Sequence, residues 1–478
     1  MSDRREFIKQ TGLISAGLLA SSSLLKAVSI PAGFESRRPP LEKRKFTSKA
    51  IEDVISRTKG QIKDPEIAWM FENCFPNTLD TTVEYQLVNG VPDTFVITGD
   101  IHAMWIRDST AQVWPYLPFI KEDKALYQLI TGVINRQGKC ILIDPYANAF
   151  NKEATGSEWA SDLTDMKPEL HERKWEIDSL CYPVRLSYNF WKLTGDGSFF
   201  NSIYDKALRS VLATFRQQQR KTGKGPYHFG RKTDKATDTL PGSGYGNPVK
   251  PVGLICSSFR PSDDATILPF LIPSNYFAVV SLKQMSEMFL KIKHDEKTSL
   301  ECMALAKEVE QALKVYATDS HNKYGNILAF ETDGFGNHLF MDDANVPSLL
   351  SLPYLDCINS SDQLYISTRS FALSSDNPWY FKGDAGEGIG GPHVGEEMIW
   401  PLSIIVQALT SKDEKEIRNC LHILKRTHAG TGFMHETFHK DNPAKFTRSW
   451  FAWANTIFGE LILKVVKEHP AILSAEIL

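Results

Sequence analysis

The sequence predicts an all-α toroid in which pairs of helices close into a ring and long loops gather into a pocket at one end. Three observations carry this. Apolar residues recur at three- and four-residue steps over ten segments; in 300–315, for example, Leu300, Met303, Ala306, Val309 and Leu313 form one such face. The segments tend to come in pairs. Between pairs lie six unusual polar loops, at 105–109, 172–179, 260–264, 342–347, 388–393 with Trp400, and 427–453, separated by roughly one helical hairpin each. About six pairs, each sending one polar loop to a common place, describe a ring. A two-domain helical protein with unrelated loops is the alternative.

Taken in order, Arg4-Arg5-Glu6-Phe7-Ile8-Lys9 followed by an apolar run over 13–25 has the basic, hydrophobic, small-residue order of an export signal. The paired arginines with Phe7 two places on resemble a twin-arginine signal, which points to the periplasm; an ordinary secretory signal with a basic head is the alternative. The run is too short, and too rich in Ser and Gly, for a membrane span. No stable membrane insertion is therefore expected once the signal is removed, after Ala27 or a few residues later, and no Cys follows to carry a lipid. Residues 1–29 are assigned to the signal, 30–49 to an exposed Pro/Arg/Lys/Ser lead-in, and 50–478 to a single domain.

Within that domain helices are expected at 50–58, 104–117, 124–137, 179–193, 198–219, 275–291, 297–317, 397–410, 413–427 and 450–467. Short β patches are expected at 82–95, ahead of Asn89-Gly90, and at 326–332. The stretch 221–252 has no sustained apolar face and reads as a long loop, a feature that in compact domains tends to be functional.

Composition narrows the function. Lys and Arg number 54 against 57 Asp and Glu, a net charge of −3, with no basic stripe to track phosphates, so nucleic acid is not an expected partner. The seven cysteines show neither C-x-x-C nor regular spacing with histidines, so neither a zinc site nor a disulfide framework is indicated. No G-x-S-x-G, P-loop or H-E-x-x-H string occurs.

The polar loops carry the chemistry. In 98–109, Trp105 offers a flat apolar face for the C–H side of a pyranose, while Arg107 and Asp108 offer a donor and an acceptor to its hydroxyls. Glu172-Arg-Lys-Trp-Glu-Ile-Asp178 and Arg448-Ser-Trp450-Phe-Ala-Trp453 repeat the theme of charge beside indole. Arg260-Pro-Ser-Asp263-Asp264 sets two acids and an arginine before an apolar stretch, and either acid could be a proton donor or a turn cap. Glu436 lies in a glycine-bearing loop that could present it to a cavity, and His393 ends a glycine-rich turn. Asp342-Asp343-Ala-Asn345 lacks the ligand alternation and distant bidentate Glu of a calcium loop, so no metal is expected there. Cleaving a glycosidic bond needs two carboxyl groups across the sugar, one protonating the leaving oxygen and one activating water or attacking carbon.

The strings Thr98-Gly-Asp-Ile-His-Ala-Met-Trp-Ile-Arg-Asp-Ser, Arg260-Pro-Ser-Asp-Asp-Ala, Met341-Asp-Asp-Ala-Asn-Val-Pro-Ser and Gly432-Phe-Met-His-Glu closely resemble glycoside hydrolase family 125, the exo-α-1,6-mannosidases. The stretches 172–179, 388–393 and 446–455 are similar to it too, so the resemblance runs in order from about residue 50 to the last helix. It implies an (α/α)6 barrel, release of terminal mannose from α-1,6-linked manno-oligosaccharides or N-glycan-type mannans with inversion, and neither metal nor cofactor. Carried onto this chain it implies Asp263 as general acid and Glu436 as general base. Trp105, Arg107, Asp108, Asp178, Arg260, Asp264, Asp342, Asp343, Asn345, His393, Arg448 and Trp450 become the substrate-binding set. Two other readings stand beside it: another toroidal α-glycosidase of the glucoamylase type, and a mannose-binding protein without turnover. Oligomeric state is not legible in the sequence.

Overall fold

The computed structural model describes residues 33–477; the export signal read in 1–29 lies outside the described residues. Fourteen α-helices occur among them: α1 (Lys49–Lys59), α2 (Pro65–Cys74), α3 (Asn77–Thr81), α4 (Ile106–Val113), α5 (Lys124–Ile143), α6 (Ile177–Thr194), α7 (Ser202–Gln218), α8 (Ile272–Lys291), α9 (Glu296–Tyr316), α10 (Gln363–Ala372), α11 (Pro401–Leu409), α12 (Glu414–Thr427), α13 (Ala452–Glu468) and α14 (Pro470–Leu473). Every expected helix is present with shifted ends. The 104–117 segment stops as α4 at Val113 and continues as a 3-10 turn, Trp114–Phe119, because Pro115 and Pro118 remove backbone donors. Asn201 caps α7 and sets its start beyond the expected 198. Helices α2, α3, α10 and α14 were not expected.

The helices form two layers. Packing runs from α13 to α4, α4 to α6, α6 to α8 and α11 to α13, which makes these five the inner ring; α2, α5, α9 and α12 lie outside against α13, α6, α8 and α11. The turn-rich stretch after Asn345 completes the inside, with Tyr182 of α6 donating to Val346 O at 3.0 Å and Tyr365 of α10 to Leu350 O at 2.8 Å. Helix α4 buries all eight of its residues, as only an inner helix can.

Two sets of side chains show that inner helices run the same way. The first turns of α4, α6 and α13 bring Arg107, Asp178 and Trp453 together at one end. Seven residues further along each chain segment, about 10 Å of helical rise, lie Trp114, Arg185 and Glu460, which meet at the other end around Tyr354: the Arg185 guanidinium sits 3.7 Å from the Trp114 ring centroid and 4.7 Å from that of Tyr354, while Glu460 accepts from Trp114 Nε1 and Tyr354 OH.

The β patches are small. Val83–Val88 and Val91–Val96 make the hairpin expected at 82–95, and the 326–332 patch splits into Gly325–Leu328 and Glu331–Thr332. Two-residue strands lead into inner helices: Met104–Trp105 before α4, Phe270–Leu271 before α8 and Met398–Ile399 before α11. The lead-in is less exposed than its composition suggests, because Arg38 finds two carboxylates, Asp80 at 2.7 Å and Glu52 at 2.5 Å, and its side chain is inside. From Ser36 onward the described chain is one compact unit.

Candidate active site

A pocket opens where the inner helices begin. Its aromatic wall is Trp105, the residue before α4, with Trp400, the residue before α11, and Phe451 and Trp453 at the start of α13. Three carboxyl groups line it: Asp108, Asp263 and Glu436.

The floor is a buried web around Arg107. Its Nη1 donates to Glu176 at 2.5 Å and Asp178 at 3.3 Å, its Nη2 to Asp263 Oδ1 at 3.4 Å, and its Nε lies 3.4 Å from Asp108. Burial pushes the Asp108 and Asp178 carboxyls up to about 6 each, against the pull of Arg107. Lys174, also buried, donates to Asp238 at 2.6 Å and to the backbone oxygen of Asp263 at 2.8 Å. Through Asp238 the 221–252 loop reaches the site: Arg231 donates to Asp162, Glu172 and Asp238, and its guanidinium stacks 3.7 Å from the Trp159 ring.

The two neighbouring aspartates separate sharply. Asp263 has φ +66 and sits in a turn closed by Asp263 N to Arg260 O (2.9 Å) and Arg260 N to Asp264 O (2.8 Å). Its side chain is 21% exposed and faces the pocket. Asp264 is 1% exposed and faces away, accepting from Ser262 Oγ at 3.1 Å and lying 3.4 Å from Lys235 Nζ and 3.7 Å from His393 Nδ1. Despite burial, His393 and Lys235 hold the Asp264 carboxyl far below the usual range, and the pairing lifts His393 above its ordinary value against its own burial.

Glu436 reaches the pocket on a tightly fixed loop. Gly432 has φ +75, and a Cβ there would lie 2.7 Å from Trp69, so this turn admits only glycine. Met434 N donates to Asn455 Oδ1 at 2.8 Å and His435 stacks on Phe446 at 3.8 Å. Glu436 is 12% exposed and accepts from Arg448 Nε at 3.3 Å, while Arg448 also holds Asp100.

Of the expected residues, Trp105, Arg107, Asp108, Asp263, Asn345, His393, Glu436 and Arg448 line the pocket together. Asp178, Arg260, Asp264, Asp342 and Asp343 do not; they stand behind it. Arg260 binds Glu331 at 2.6 Å, Asp342 accepts from the backbone of Leu349 and Leu350, and Asp343 from Asn345 N. Asp343 also bears on the His393 turn, since a Cβ on Gly391 would lie 2.9 Å from its Oδ2. Trp450 is not in the wall, because α13 begins two residues later and turns Trp453 inward instead. Glu176, Lys174 and Asn148 were not singled out; only the alternation of charge and indole in 172–178 pointed to their neighbourhood.

A model of the metal-independent α-mannosidases, glycoside hydrolase family 125 (GH125), matches residues 64–463. The chain belongs to GH125. A Streptococcus pneumoniae GH125 protein, described as a metal-independent α-mannosidase in a non-productive substrate complex with α-1,6-mannobiose, is 41% identical; 88% of this chain and 99% of that one are covered, with a TM-score of 0.85. The meiotically up-regulated gene 157 protein of Schizosaccharomyces pombe is 42% identical over 462 residues, 93% of this chain and 91% of its own. A bacterial glucoamylase complexed with acarbose, 12% identical, covers 88% of this chain and 59% of its own with a TM-score of 0.52, a likeness of fold alone. The GH125 chain is thus an (α/α)6 toroid of the α-mannosidase type.

Proposed function

We propose that this protein is an exo-acting α-1,6-mannosidase that inverts configuration, with Asp263 as general acid and Glu436 as general base. The observation that carries the reading is a pocket closed below by the Arg107 web, which both Asp263 and Glu436 line with partly exposed carboxyls. A closed floor admits a chain end and not a chain middle, which favours release of a terminal sugar. The α-1,6 linkage rests on the mannobiose bound by the 41%-identical relative.

In this mechanism the terminal mannose lies with its C–H face on Trp105 and its hydroxyls toward Asp108, Arg107 and Asn345. Asp263 protonates the glycosidic oxygen as the bond to the anomeric carbon breaks. Water on the opposite face attacks that carbon and gives its proton to Glu436, which Arg448 orients. The twin-arginine-like start adds export to the periplasm as a further proposal, tested by finding the activity in an osmotic-shock fraction.

The deciding experiment incubates purified protein with α-1,2-, α-1,3- and α-1,6-mannobiose and follows the product by NMR. Hydrolysis of the α-1,6 isomer giving β-mannose first is expected. Initial α-mannose would refute inversion, and activity on aryl α-glucosides without activity on α-1,6-mannobiose would favour the glucoamylase-type reading. Glu436→Gln should lose about 10²- to 10⁴-fold in kcat; wild type and variant equally inert, both binding mannose, would leave a binding protein.

A further inference from the structure

Beneath Asp263 lies a second carboxyl that the mechanism above does not use. Glu176, the residue before α6, is 0% exposed. Its Oε2 accepts from Arg107 Nη1 at 2.5 Å and Ser179 Oγ at 2.8 Å. Its Oε1 is buried and receives no hydrogen bond from an N–H or hydroxyl among the described residues. Glu176 and Asp263 sit on neighbouring nitrogens of the one Arg107 guanidinium, Glu176 on Nη1 and Asp263 on Nη2, so a proton held between the two carboxyls would satisfy the donor-less Oε1. Asp263 is held in place for this by Arg107 Nη2 at 3.4 Å and Asn148 Nδ2 at 3.3 Å.

The charge balance of the floor agrees. Four carboxyl groups, Asp108, Glu176, Asp178 and Asp263, face the fixed cations Arg107 and Lys174, with His171 and His393 further out. Lys174 is shared with Glu172 at 3.4 Å and Asp238 at 2.6 Å, so with all four ionised the buried floor would hold surplus negative charge, an arrangement that favours keeping a proton.

We propose that Glu176 is a positioning residue that shares one proton with Asp263 and keeps that proton donor loaded at neutral pH; this rests on the reading of Asp263 as the acid. Burial raises the Glu176 carboxyl well above its usual range, whereas Arg107, then Lys174, pull Asp263 below its own despite burial. Alone beside those cations, Asp263 would be a carboxylate. Glu176, the more basic of the two, holds the shared proton, and Asp263, handed that proton by Glu176, can give it away. On cleavage its O–H bond breaks, a bond to the glycosidic oxygen forms, and the electrons of the broken C–O bond stay on that oxygen. The proton that water leaves on Glu436 then passes to solvent, and the pair takes one back, so the net reaction consumes one water.

The test compares a substrate that needs an acid with one that does not. On α-1,6-mannobiose, Glu176→Gln and Asp263→Asn should each lose at least about 100-fold in kcat. On 2,4-dinitrophenyl α-mannoside, whose leaving group departs unprotonated, both should stay within about tenfold of wild type. A structural role for Glu176 would depress both substrates alike, and equal losses, or no loss on mannobiose, overturn the proposal. If Asp263→Asn itself shows no contrast, the acid reading fails; contrast there without contrast in Glu176→Gln overturns this inference alone. The alkaline limb of the mannobiose pH profile supplies a second readout and should move down by about one unit or more in Glu176→Gln; an unmoved limb counts against the shared proton. Should Glu176→Gln not fold, Glu176→Asp, with its carboxyl withdrawn, must show the same substrate contrast, and equal losses there overturn the idea too.

Discussion

At the scale of single residues, the adjacent aspartates show what backbone geometry adds to composition. Either carboxyl of Asp263-Asp264 could be an acid when read as sequence; the left-handed φ of Asp263, which Asp tolerates better than most residues, turns it to the pocket and its neighbour toward His393 and Lys235. On α-1,6-mannobiose Asp263→Asn should therefore lose at least about 100-fold in kcat, while Asp264→Asn should stay within about tenfold of wild type; the reverse ranking moves the acid role by one residue. The Asp264–His393 pair also carries a pH signature. His393, raised above 6.5, contributes stability that is fully present below pH 6.5 and is lost as pH rises through its folded value. Asp264, depressed, contributes above 3.8 and loses that contribution as pH falls toward its lower folded value. The pair's full contribution thus lies between those limits. NMR titration of His393 should give a midpoint above 6.5 in wild type and a lower one in Asp264→Asn, where burial and Lys235 act against Asp263 alone. An unchanged midpoint would mean that some other group sets the charge of His393.

At the scale of elements, the N-termini divide the two layers. Outer helices have side-chain caps, Asp64 for α2, Asp123 for α5, Asp295 for α9 and Asp413 for α12, and so do α1 (Ser48), α7 (Asn201) and α10 (Asp362), none of which is among the inner five. Inner helices α4, α6, α8, α11 and α13 have none; each follows Trp, Glu, Leu, Trp or Phe. This explains what the sequence disclosed. Outer helices have a wet face and an apolar face, so the period of α9 was readable. Inner helices are buried all round, so their starts were blurred and α11 was placed four residues early. Helices α2 and α10 were missed although Asp64-Pro65 and Asp362 are start signals; both helices are only ten residues long. Among pocket residues, those within a run of unusual chemistry were legible, whereas Glu176 and Asn148 became functional only through contacts across the fold. Asp64 offers a test at this scale. It caps α2, pairs with Lys425 at 2.7 Å and accepts from Ile477 N at 2.9 Å, and despite burial these partners hold its carboxyl low. Asp64→Ala should cost about 2 kcal/mol of stability at pH 7, with KM for mannobiose unchanged. Because the Asp64 pKa is depressed, the difference should narrow as pH falls below 3.8, which denaturant titration at two pH values would measure.

At the scale of the molecule, parallel inner helices give the ring two unlike ends. Their first turns converge on carboxyl groups and indoles around an open pocket, and seven residues later the same helices converge on a closed clasp in which Tyr354, Arg185, Trp114 and Glu460 satisfy one another. The pocket end is electrostatically costly, with a surplus of buried carboxyls over cations, and arrangements of that kind persist only where the surrounding structure holds them. The clasp is a natural source of that support, since it joins α4, α6 and α13, the three helices that carry Arg107, Asp178 and Trp453. Scaffold and chemistry should then be separable by mutation. Glu460→Ala leaves the Trp114 Nε1–H and the Tyr354 hydroxyl without their acceptor and removes a carboxylate near Arg185, which should cost about 3 kcal/mol. Thermal unfolding should shift down, while kcat and KM on α-1,6-mannobiose, assayed well below the transition, stay near wild type. A normal melting temperature with impaired turnover would instead mean that the clasp communicates with the pocket, and that the two ends of the ring do not work independently.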